Sequence, residues 1–123
     1  MEFYCYKVKS IDRVVDGDTV DMTLDTGFSN RFSHRFRLTG YDAPESWRPK
    51  TDAEAEGGKQ VTEKLIEILN KHKDKLYARS NTLGIYGRYE AAIYYLDGGN
   101  EININKEIWN WIIENKLTKE DLR

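Results

Sequence analysis

Two aspartates, Asp16 and Asp18, flank a glycine at the head of the stretch RVVDGDTVDMTLD, residues 13–25. Asp-Gly is turn chemistry, and a turn role would account for both acids unaided. Strand parity adds a second consideration. Val20, Met22 and Leu24 point one way in an ideal strand, and Asp16 and Asp18 share that parity. An acid at the end of an inward row is poorly solvated, so it needs a cation, a hydrogen-bond donor or a cleft. Asp21 has the opposite parity and reads as an exposed strand residue.

A second acid turn lies in RFRLTGYDAPES, residues 35–46, where a strand runs into Gly40 and a turn fixed by Pro44 that carries Asp42 and Glu45. With the two turns side by side, Asp18 and Asp42 could give carboxylate oxygens to a hard cation, and Ala43 its backbone carbonyl. Glu45 would then sit beside the ion without ligating it, which is where a water-activating base belongs. In IYGRYEAAIYY, residues 85–95, Arg88 follows a glycine at another strand boundary. Arg37 and Arg88 could clamp a phosphate from two sides, although Arg35 and Arg37 also fit an ordinary strand surface. Taken together, these residue types suit metal-assisted attack of water on a phosphate ester.

Such a site needs elements to position it. Alternating segments from Phe3 to Val15, Thr19 to Asp25 and Phe32 to Thr39 predict three antiparallel strands. From Ala53 to His72 the pattern turns helical, with Val61, Leu65, Ile68 and Leu69 in one stripe. Gly57 and Gly58 weaken its start, so the secure part begins near Lys59. KLYARSN and RYEAAIYYL read as further strands around the loop TLGIYG, and DGGN turns the chain. Asn105 is the expected cap of a helix KEIWNWIIENK whose apolar face is Ile108, Trp109, Ile112 and Ile113. Thr118 and Asp121 partly mimic a capping box for a last turn. The order predicts an α+β, mainly β, architecture: a five-stranded OB-type Greek-key barrel with two to three helices. Fold alone implies only a binding surface.

The 123 residues suffice for one compact core, so a single domain over 1–123 is expected. No apolar run is long enough to cross a bilayer, and MEFYCYKVKS lacks the apolar stretch of a signal peptide, which predicts a cytoplasmic protein without membrane contact, with a processed secreted form as the alternative. Cys5, the only cysteine, excludes an intramolecular disulfide, and neither His34 nor His72 has a metal-ligand spacing. Parity predicts a partly buried ring for His34, and a place at the end of a charged helix predicts a solvated one for His72. A net charge of -2 gives no global pull on a polyanion, so phosphate recognition must come from local arginines or a metal. Trp109 reads as core, whereas Trp111 fits equally the rim of a wide core or a nucleotide platform.

The motifs VVDGDTV, FRLTGYDAPE and YGR, in this order over Val14 to Arg88, resemble the staphylococcal-nuclease-like (thermonuclease) family of calcium-dependent phosphodiesterases. The following strand and helix extend the likeness to about Trp109. The resemblance implies that Asp18, Asp42 and the Ala43 carbonyl hold calcium (Ca2+), with Asp16 behind them. Glu45 matches the general base or water-orienting acid, Arg37 and Arg88 match the arginines that bind the phosphate, and Tyr86 matches a tyrosine that contacts it. The implied activity is a nuclease, a monomer hydrolysing DNA with RNA as an alternative substrate and leaving 3'-phosphates. Two departures stand out: Ile85 occupies the place of a phosphate-contacting lysine, and WIIENKLTKEDLR holds none of the family's base-stacking tyrosines. Weak, salt-sensitive substrate binding is therefore expected. The rival expectation is a noncatalytic OB-type module that binds nucleic acid or protein.

Overall fold

In a computed structural model of the chain, residues 4–80 and 88–123 are described. Three strands open the fold: β1 (Cys5–Asp16), β2 (Thr19–Gly27) and β3 (Asn30–Leu38). β1 pairs antiparallel with β2 along most of its length, and its first residues, Cys5 to Lys7, pair with β4 (Tyr77–Ser80). Register shifts after Val8, Ile11 and Val14 bend β1, which lets one strand serve two neighbours in a curling sheet. β5 (Tyr89–Asp97) pairs with β4 and, in parallel, with β3 through Phe36, Arg37 and Leu38. That last pairing closes a five-stranded OB-type barrel, as the order of elements predicts. β6 (Asn100–Asn103) extends β5 as a hairpin arm, an element the sequence reading did not mark.

The barrel interior follows from period-two alternation: Val20, Met22, Leu24, Phe36, Leu38 and Ile93 are all buried. α1 (Asp52–Lys71) caps this interior with Val61, Leu65, Ile68 and Leu69, the stripe read from the sequence. The helix starts well before Lys59, however. Thr51 caps it by accepting the Glu54 amide, and both glycines lie inside the helix because neighbours press on them. A Cβ on Gly58 would stand 2.7 Å from the Glu45 carbonyl, so glycine there permits backbone-to-backbone contact. The helix-propensity penalty that argued against these residues is offset by this packing.

α2 (Ile104–Glu114) also starts earlier than expected, with Asn103 rather than Asn105 as its cap. Asn105 is buried instead. Its amide oxygen accepts the Ile93 N–H, and its amide nitrogen donates to the Thr39 and Ala91 carbonyls, tying α2 to the β3–β5 seam. Ile104, Ile108 and Ile112 form the buried face, Trp109 is half-buried, and Ile113 is 49% exposed, outside the stripe assigned to it. His34 is exposed rather than partly buried, leaning on Phe32 and Tyr89, and His72 stacks on Tyr95. The short α3 (Lys119–Leu122) carries the expected capping box between Thr118 and Asp121. Among the described residues no helix is long and apolar enough to cross a membrane.

Candidate active site

The two acid turns are neighbours, joined by four direct hydrogen bonds. Between β1 and β2, Gly17 and Asp18 form the hairpin turn; after β3, residues 41–46 form a loop against it. The Tyr41 hydroxyl donates to the Gly17 carbonyl at 2.5 Å, the Ala43 amide to Asp18 Oδ2 at 2.8 Å, and the Ser46 amide and hydroxyl to Asp16 Oδ1. Burial, with the Asp18 charge adding to it, holds the Tyr41 hydroxyl well above its ordinary pKa, so it remains a donor. Trp109 stacks on the Tyr41 ring from α2, with ring centres 6.1 Å apart. Asp16 and Asp18 thus shape the turn and also fasten a second loop to it.

Asp18 is only 8% exposed, consistent with its inward parity. Thr19 Oγ1 donates to its Oδ1 at 3.0 Å, and Arg37 Nη1 lies 3.3 Å from its Oδ2. Burial nevertheless raises the Asp18 carboxyl above the ordinary range; Arg37, the Ala43 amide and Thr19 pull the other way without cancelling it, and nearby Asp42 adds to the rise. Arg37 is largely committed to the loop: Nη1 donates to the Leu38 carbonyl at 2.7 Å, and Nη2 to the Tyr41 carbonyl at 2.9 Å and Asp42 Oδ1 at 3.3 Å. Arg88, just before β5, is exposed. The Glu45 side chain is 41% exposed, and the buried carboxylate of Glu54 accepts from the Lys50 amide and from Arg123. Gly58 lets α1 press against the Glu45 backbone.

All four acids line one open cavity of about 430 Å³, facing Arg37 and Arg88. Thr19 and Lys119 complete the wall. A groove of about 250 Å³ continues past Arg37 and Arg88 toward Gly40 and Glu90. Of the residues singled out from the sequence, Asp16, Asp18, Arg37, Asp42, Glu45 and Arg88 therefore meet at one place. Ala43 reaches it through its amide N–H. Tyr86 and Ile85 lie outside the described residues.

No family model matches the chain, and no curated protein matches it. The likeness to nucleases accordingly stands on the motifs and on this geometry.

Among the described residues the cavity presents carboxylate oxygens and no imidazole or thiolate, a donor chemistry that fits a hard cation such as calcium. Among the described residues no three such groups already enclose one point. Cations of the chain itself intervene, since Arg37 reaches both Asp18 and Asp42, and Lys119 reaches Asp42. Lys119 was not legible as a site residue: the capping box of α3 marks a helix start and says nothing about where that helix docks. Ser46 stands within the quoted loop motif, but its bond to Asp16 has no local sequence signal. Trp111 packs against the core with Lys64 5.8 Å from its ring centre, the rim position of the two considered for it. Trp47, at 73% exposure, is the bare indole beside the loop, with the Arg48 guanidinium over its ring.

Proposed function

We propose that the chain is a metal-dependent phosphodiesterase, a nuclease that hydrolyses DNA, with RNA as the alternative substrate. The observation that carries this reading is the convergence of Asp18, Asp42, Glu45, Arg37 and Arg88, from four separate segments, on one polar cavity. Asp18 and Asp42, with the Ala43 carbonyl, would hold calcium, which supplies Lewis acidity toward a phosphoryl oxygen. Glu45 faces solvent, so it can take a proton from an attacking water. Arg88 is exposed in the same cavity as the acids and would donate to the equatorial oxygens as charge builds on them. Arg37, braced by two backbone carbonyls and paired with Asp18 and Asp42, brings its positive charge to the cavity from a fixed direction. The groove shared by the two arginines gives the rest of a nucleic-acid strand a path away from the cleaved bond.

One observation favours the second reading, a noncatalytic OB-type module: Arg37 and Lys119 already neutralise Asp42, leaving a self-satisfied charge cluster. The deciding experiment is cleavage of a fluorescent single-stranded DNA with calcium or with chelator, by wild type and Glu45→Gln. The nuclease reading expects calcium-dependent cleavage that falls by roughly two to four decades in the variant, the contribution of a positioned base. Arg35→Lys is the control, because Arg35 is engaged with Asp21 on the exposed sheet face and should leave cleavage unchanged. Absence of cleavage by wild type in calcium would favour the binding module, and full activity of a folded Glu45→Gln protein would remove Glu45 from the mechanism.

A further inference from the structure

α3 is too short to hold itself in place, yet it is fastened at several points. Leu122 packs over Gly57 of α1, where an added Cβ would stand 2.3 Å from its Cδ1. The Thr51 hydroxyl donates to the Leu122 carbonyl at 2.9 Å. Arg123 Nε donates to Glu54 Oε2 at 3.0 Å, and Glu54 is fully buried, so this ion pair is shielded from water on the acid's side. Glu54 also accepts the Lys50 amide at 2.7 Å, which links α3 to the start of α1.

The consequence of this anchoring is a placed ammonium. Lys119 Nζ lies 3.1 Å from both carboxylate oxygens of Asp42 and 3.9 Å from Glu45 Oε1. Its side chain is only 23% exposed. We propose that Lys119 is a resident counter-cation of the acidic cavity, which a divalent ion must displace to reach Asp42, so that α3 sets the metal affinity of the site. The inference rests on the nuclease reading, because it takes Asp42 as a ligand.

The physical argument is competition for the same oxygens. Lys119 takes one lone-pair direction on each Asp42 oxygen and Arg37 takes a further one on Oδ1, so a second cation cannot chelate both oxygens without moving the ammonium. The residual positive charge a few ångströms away also opposes the incoming ion. A lysine that merely pinned α3 would affect stability alone, so metal affinity separates the two roles.

The test is calorimetric titration of calcium into the full chain as wild type, Lys119→Met, Lys119→Gln and Lys119→Arg, with melting curves in chelator. Met and Gln remove the charge while preserving much of the side-chain length, and either one suffices if the other folds poorly. The expected result is calcium binding about five- to tenfold tighter in the Met and Gln variants, the effect of one unit charge near 4 Å under strong screening. Binding by these variants where wild type shows none would support the inference equally. Lys119→Arg should stay near wild type. If wild type binds calcium and the neutral variants bind it no more tightly, the inference falls while the nuclease reading stands. If no protein binds calcium and wild type cuts no DNA, both fall together.

Discussion

Asp18 is the residue on which burial and function pull hardest against each other. Its folded carboxyl lies above the ordinary value of 3.8 because burial penalises the charge more than Arg37, Ala43 and Thr19 relieve it. A raised folded pKa stabilises the protein fully below the unfolded value, and that contribution is lost as pH rises through the folded value. At neutral pH the charged Asp18 is therefore a cost to the metal-free fold. Asp18→Asn, melted in chelator at pH 7, should be as stable as wild type or higher by up to about 5 °C, the shift that corresponds to about 1 kcal/mol in a domain of this size. The advantage should shrink as pH falls through the raised folded value and be gone below about 4, where the carboxyl is protonated in the folded and unfolded states alike. The same variant should not cleave DNA. An Asp18→Asn protein that melted well below wild type in chelator would mean that the hydrogen bonds to Ala43 and Thr19 outweigh the buried charge.

At the scale of elements, α1 acts as a platform for the acid-bearing loop rather than only as a lid on the barrel. Its closest approach to that loop is at Gly58, against the backbone of Glu45 and Ser46. Two effects of Gly58→Ala oppose each other. Helix propensity favours alanine by about 1 kcal/mol, whereas overpacking against backbone costs about 1–3 kcal/mol because neither partner can rotate away. The packing effect should win, giving a net loss of about 1 kcal/mol in denaturant melts. Cleavage at a temperature where the variant is folded should drop roughly ten- to a hundredfold through displacement of Glu45. A Gly58→Ala protein that melted higher and cleaved normally would show that α1 can shift away without moving the loop. Local propensity made the first turns of this helix look insecure because the compensating contacts come from Glu45, Ser46 and Leu122, which lie outside it in sequence.

For the whole molecule, charge balance would set how a nucleic-acid substrate of the proposed nuclease is gripped. The net charge is -2, and the cavity itself holds four acids against Arg37, Arg88 and Lys119, so no long-range field draws in a polyanion. With Arg37 and Arg88 as the phosphate contacts, single-stranded DNA should bind with a log–log salt slope of about -1.4, two contacts at about 0.7 each. Fluorescence anisotropy with the Glu45→Gln protein in calcium measures this without cleavage. A slope steeper than about -3 would reveal further cationic contacts. The sequence by itself determined the strand faces, the α1 stripe, the paired acid turns and the Asp18 parity, because each is a periodicity or a turn written within a few neighbouring residues. Tertiary structure alone decided that Asn105 bridges β5 and β3, that Gly58 admits the Glu45 backbone, and that Lys119 meets Asp42 across 77 positions of chain. Those contacts depend on the path by which the barrel closes and brings remote segments together, and spacing within any one segment carries no record of that path.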